Sequence, residues 1–197
     1  MKPENRKEYK LRTAESTFKT REEGDELIIE GYFAVYNSDY VINEDMSESI
    51  APGAFADTLG NDIRALTNHD TSLVLGRNKA GTLELRDDSR GLWGRIKINP
   101  NDQDAMNTYE RVKRGDVNQC SIGFEILDEE TEFFDGGRVH WTIRKINLFE
   151  VSVCTFPAYA ETSVSARMHD AEEAKKRSSE AWKERTLQKL RGEKEDA

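Results

Sequence analysis

Apolar residues in this chain alternate with polar ones over short runs, and a helical stripe is the exception. Leu27-Ile28-Ile29-Glu30-Gly31-Tyr32-Phe33-Ala34-Val35-Tyr36 is rich in β-branched and aromatic side chains and predicts a strand. Residues 63–68 and 73–76 predict two shorter ones. Residues 82–86 and 92–98 flank the turn-rich Asp87-Asp88-Ser89-Arg90-Gly91 and predict a β-hairpin. Val139-His140-Trp141-Thr142-Ile143 and residues 146–156 predict the last strands, the second stopped by Pro157. A polar loop is expected through Asn43-Glu44-Asp45.

Two stretches read as helix. Asp102 can cap the helix over residues 102–114, where Ala105, Tyr109 and Val112 form an apolar stripe. Lys113 and Arg114 suit its C-terminal dipole, and Gly115 ends it. Pro52 suits a first helical turn, so residues 52–60 predict a short helix closed by Gly60. The sum is a β-dominated α+β domain over residues 25–166, a barrel or sandwich with two or three helices.

The ends differ in texture. Residues 1–24 are charged and weakly patterned and are expected to be flexible. Residues 169–197 hold eight basic and eight acidic residues, with Trp182, Leu187 and Leu190 as the few large apolar ones. That stripe is too thin to build a core. Residues 167–197 therefore read as a charged tail, helical or disordered, solvated or dependent on a partner.

Bulk composition narrows the function. A net charge of -9 and 34% charged residues argue against generic nucleic-acid binding, which needs a basic surface. Cys120 and Cys154 supply neither a disulfide framework nor a zinc spacing, and both sit in apolar runs as buried thiols would. Asp45, Asp62, Asp70, Asp87 and Asp88 make no metal set, so no metal or cofactor is expected. No apolar run approaches the ~20 residues of a membrane span, and no signal segment follows Met1. The chain is expected to be soluble and intracellular.

The chemistry-bearing pattern lies in Cys120-Ser121-Ile122-Gly123-Phe124-Glu125-Ile126. Strand alternation puts Ile122, Phe124 and Ile126 on one face, the core side, with Cys120. Ser121, Gly123 and Glu125 take the other, so the serine is expected to point away from the core with space beside it. A serine nucleophile needs a base that titrates near neutrality. His69, at the end of a strand in Asn68-His69-Asp70, is the candidate, and His169 at the start of the tail is a poor one. A third group must hold the imidazole. Glu150 interrupts the apolar run Leu148-Phe149-Glu150-Val151-Ser152-Val153, where a carboxylate needs a partner. His140 is the alternative. Ser152 reads as a structural hydroxyl, and Cys120 as a lesser candidate nucleophile.

Several motifs occur together in order: Glu30-Gly31-Tyr32-Phe33-Ala34-Val35-Tyr36, Ile50-Ala51-Pro52-Gly53-Ala54-Phe55, Asn68-His69-Asp70, Leu75-Gly76-Arg77, Cys120-Ser121-Ile122-Gly123-Phe124, and Leu148–Val153 leading to Pro157-Ala158. Over residues 27–166 the chain resembles the tailed-phage prohead (head maturation) serine proteases, distant relatives of the herpesvirus assemblin proteases. The resemblance implies a distorted β-barrel with a few surrounding helices, herpesvirus-protease-like. It implies an endopeptidase working inside the immature phage head, reached from the host cytoplasm. Its partners would be the major capsid protein with its scaffolding segment, or a separate scaffold protein, and it would also cleave itself. Residue by residue, it implies Ser121 as nucleophile, His69 as general base and Glu150 as third member, with His140 as the herpesvirus-like alternative. Arg144 is the implied oxyanion candidate, and a homodimer is possible. The competing expectation is a non-catalytic assembly or scaffold-binding protein on the same fold.

Overall fold

A single long strand, β11 (Val139–Cys154), organises the molecule. It appears in a computed structural model that describes residues 10–156, apart from 17 and 25, together with 176, 180 and 183. Of the expected tail, residues 176, 180 and 183 are described, and they are helical and exposed; its other residues and Pro157-Ala158 lie outside the described residues.

The strands in chain order are β1 (Lys10–Glu15), β2 (Lys19–Glu23), β3 (Glu26–Val35), β4 (Tyr40–Asn43), β5 (Met46–Ile50), β6 (Arg64–Thr67), β7 (Asp70–Arg77), β8 (Leu83–Asp87), β9 (Gly91–Ile98), β10 (Gln119–Phe133) and β11. The α-helix that packs against the strands is α1 (Gln103–Arg114). One sheet runs β1-β10-β11-β5-β4, with β6 also on β11 and β7 on β6; the other runs β2-β3-β9-β8. The two sheets do not join into a closed barrel, so the expected barrel is replaced by two sheets around a shared core. Ile29, Phe33, Leu92 and Ile96 from one sheet meet Ile122, Phe124, Leu148, Val151 and Val153 from the other.

The segment expected to be flexible contributes β1 and β2. β1 pairs antiparallel with β10, Thr13 opposite Ser121, and β2 pairs with β3. The two strands expected over 139–156 are one. Its first part pairs parallel with β5, Val139 to Ile143, and its last part pairs parallel with β6, Glu150 to Val153.

The gap between those partners is filled by residues 51–61, which explains why they are not the expected helix. They form successive turns: the Ala54, Ala56 and Thr58 amides donate to the Ala51, Gly53 and Phe55 carbonyls. Gly53 sits at φ +83°, outside right-handed helix. The Ala54 carbonyl accepts from the Ile146 amide, and the Thr58 hydroxyl from the Leu148 amide at 2.7 Å. A helix would have used the Ala54 carbonyl internally. The β11 amides need acceptors, and this segment supplies them.

α1 forms as its sequence predicts. The Asp102 carboxylate accepts from the Asp104 and Ala105 amides, and Gly115 closes the helix at φ +87°. Ala105, Thr108, Tyr109 and Val112 are buried. The Thr108 hydroxyl meets that of Thr67 at 3.1 Å, which ties the helix to the end of β6. No helix among the described residues is long and apolar enough to cross a membrane.

Candidate active site

Antiparallel register decides which side chains share a face. On β10 and β11, Ser121 lies opposite Ser152, Gly123 opposite Glu150, and Gln119 opposite Cys154. Directly opposed residues project to the same side. Ser121, Ser152 and Glu150 therefore share the face opposite to Ile122, Val151 and Val153. Glycine at 123 leaves Glu150 without a side chain facing it from β10.

His69 reaches this face from a two-residue loop. Thr67 pairs with Asp70, and Asn68 and His69 between them have φ of 52° and 61°. Positive φ at both central residues is what a type I′ hairpin needs, and asparagine and histidine tolerate it better than most residues. The loop is fastened to β11. The Asn68 amide donates to the Val153 carbonyl at 3.0 Å, and the Thr155 amide donates to Asn68 Oδ1 at 2.9 Å.

The imidazole then meets the carboxylate. His69 Nδ1 lies 2.6 Å from Glu150 Oε1. Glu150 is 4% exposed, and burial strengthens such a bond. With Nδ1–H donating to the Glu150 carboxylate, the other ring nitrogen is left as the acceptor. Nε2 faces Cys154 Sγ at 3.9 Å. Burial pushes the Cys154 thiol up to about 12, and the Glu150 charge acts in the same direction. The group beside Nε2 is thus a neutral thiol and a weak nucleophile.

Ser121 is not on an open face, contrary to expectation. It is fully buried, and its hydroxyl donates to the Arg12 carbonyl of β1 at 2.9 Å. A hydroxyl has one proton to give, so in this state it is turned toward β1. Alternation was right about the side of the strand, but that side is buried at Ser121.

The remaining candidates lie elsewhere. His140 sits near the start of β11, its Nδ1 2.8 Å from Ser47 Oγ and its Nε2 2.9 Å from Ser49 Oγ. Ten residues of strand separate it from Glu150, roughly 30 Å. It borders a cavity of about 480 Å³ between the β4–β5 and β10–β11 hairpin ends, lined also by Val41, Met46 and Phe134 and remote from His69. Arg144 is exposed and pairs with Glu130, roughly 20 Å along β11 from Glu150. Cys120 is on the core side, its thiol against the Tyr32 and Phe33 carbonyls. Ser152 was read as structural, yet its Oγ touches both His69 and Glu150: it accepts from the His69 amide at 3.2 Å and donates to Glu150 Oε2 at 2.6 Å. Its two-residue spacing from Glu150 was the available signal, since both must share one face.

Comparison with known proteins points one way. The model of the caudovirus prohead serine proteases matches residues 14–177. The prohead protease of Enterobacteria phage HK97 is 30% identical over 156 residues, covering 77% of this chain; the match spans 65% of that relative's length. Among solved structures, the bacteriophage T4 capsid assembly protease superposes with a TM-score of 0.50 at 10% identity, over 75% of this chain and 97% of that one. At that identity the superposition speaks for the fold.

Proposed function

Because the chain belongs to the caudovirus prohead serine protease family, we propose that it is a maturation endopeptidase of the immature phage head. Its substrates are the scaffold, or the scaffolding segment of the capsid protein, and its own chain. Ser121 is the nucleophile, His69 the general base and Glu150 the third member. The observation that carries this reading is the 2.6 Å contact between His69 and Glu150 over the strand face that also holds Ser121.

The steps follow from what each group can do. Ser121 rotates its hydroxyl from the Arg12 carbonyl toward the imidazole, which takes the proton on Nε2. The oxygen attacks the scissile carbonyl, giving a tetrahedral oxyanion. Glu150 stabilises the imidazolium formed in that step and keeps the tautomer that leaves Nε2 basic. His69 then returns the proton to the leaving amine, and water releases the acyl group by the same route. Arg144, held by Glu130, has no part in this scheme.

The test compares purified wild type with Ser121→Ala and His69→Ala, incubated with the phage's capsid precursor and followed by intact-mass spectrometry. Wild type is expected to trim the precursor and its own chain, while both variants stay inert. If Ser121→Ala trims as wild type does, the serine assignment is wrong. If wild type is inert yet binds the precursor, the non-catalytic assembly reading replaces the protease.

A further inference from the structure

We propose that Ser152 is a positioning residue of this active site, fixing the His69 backbone and the Glu150 carboxylate relative to each other. The inference rests on His69 and Glu150 being the base and its orienting carboxylate.

The contacts form a closed ring. The His69 amide donates to Ser152 Oγ, Ser152 Oγ donates to Glu150 Oε2, and Glu150 Oε1 meets His69 Nδ1. The carboxylate is held at both oxygens, one by the imidazole and the other by Ser152. Neither oxygen can swing away from the ring without breaking a short bond of a buried carboxylate. Serine at this position also meets a strict demand, because a fully buried hydroxyl needs partners for its proton and its lone pairs. Both partners found here belong to the proposed machinery.

The ring also addresses a backbone problem. His69 holds φ 61°, a left-handed conformation that is unfavourable for an L-residue with a Cβ. The bonds from the Asn68 amide and to Asn68 Oδ1 hold the residue before it. The bond to Ser152 acts on the His69 peptide itself. A side chain projecting from a left-handed residue swings with its backbone, so a loose amide at 69 would move the imidazole off Glu150. One hydroxyl thus couples the loop that carries the base to the strand that carries the carboxylate.

The experiment uses the full chain and a fluorogenic peptide spanning a cleavage site mapped on wild-type products. Ser152→Ala is expected to lower kcat about 10- to 100-fold, as loss of a partner that orients a metal-ligating histidine does, with KM within about twofold. The acid limb of kcat/KM is expected to move upward, because a carboxylate with one donor fewer holds the imidazolium more tightly. A Ser152→Ala enzyme with wild-type kcat and an unmoved limb overturns the proposal. So does a loss of kcat with an unmoved limb and a lowered Tm, which marks a merely structural role. A loss as complete as that of Ser121→Ala also overturns it, since Ser152 would then be the nucleophile. Should Ser152→Ala fail to fold, the near-isosteric Ser152→Cys decides: its thiol is a poor donor, so a kcat loss at unchanged KM supports positioning and a wild-type kcat refutes it. If Ser121→Ala keeps full activity, the underlying reading fails and this inference with it. If only Ser152→Ala is silent, the reading stands alone.

Discussion

Glu150 and His140 were two candidates for one role, and their surroundings separate them. Glu150 is buried and shares an oxygen with each of two groups on its face, whereas both ring nitrogens of His140 are occupied by Ser47 and Ser49. Glu150→Gln keeps the shape but removes the charge that stabilises the imidazolium, and is expected to lower kcat by about 10³- to 10⁴-fold, as removal of a triad carboxylate does. His140→Ala is expected to leave kcat within a few-fold of wild type. The pair of turnover measurements assigns the third member, and a large loss in His140→Ala alone would reverse the assignment. Cys154 supplies a pH effect. Its folded thiol is raised to about 12 from an ordinary value of 9.0. Between those values the native state binds the proton that the unfolded chain releases, so stability falls as pH rises through that window and is fully present below it. Alkylation of Cys154 by iodoacetamide at pH 8 is accordingly expected to be slow in the folded protein and fast in urea. Equal rates would mean that the thiol is open to solvent.

Elements were legible where local chemistry and tertiary demand agree. The helix α1 begins at Asp102 and ends at Gly115 as its caps predict, because the capping bonds and the buried stripe both lie within the segment. Asp102→Ala is expected to cost about 1 kcal/mol of unfolding free energy, read from urea melts, with activity at low temperature unchanged. The helix expected over 52–60 failed because the Ala54 carbonyl and the Thr58 hydroxyl serve β11, a need that lies ninety residues away in the chain and leaves no local mark. The same distance hid the unity of β11, whose partner changes midway from β5 to β6. The pairing of His69 with Glu150 was inferable from residue types, but the closed ring through Ser152 depends on register and on the left-handed loop. Neither can be read from a hydroxyl flanked by valines.

At the level of the molecule, two sheets share one core and leave the proposed chemistry on the reverse face of that core's strands. Tightness between the sheets should therefore matter to stability before it matters to catalysis. Gly94 on β9 shows how little slack exists on the inner face of one sheet: a Cβ there would stand 2.6 Å from the Phe33 ring of β3 and 3.0 Å from Leu85 of β8, the strands on either side. Gly94→Ala is expected to destabilise by about 1–3 kcal/mol, the usual range for overpacking, and to lower Tm. kcat at temperatures where the variant is folded should stay near that of wild type. A Tm equal to that of wild type would show that Phe33 can yield.

The late position of β11 has a consequence in time. The proposed base emerges from synthesis at residue 69 and the proposed nucleophile at 121, but the carboxylate proposed to orient that base follows only at 150, on the strand that joins β5, β6 and β10. Parallel pairings between distant segments form slowly, and a domain folds as a unit during synthesis. The growing chain therefore carries its histidine and serine as unconnected side chains until β11 is made. On the proposed assignment the topology works as a clock: the three side chains are brought together only once the last of these strands is made.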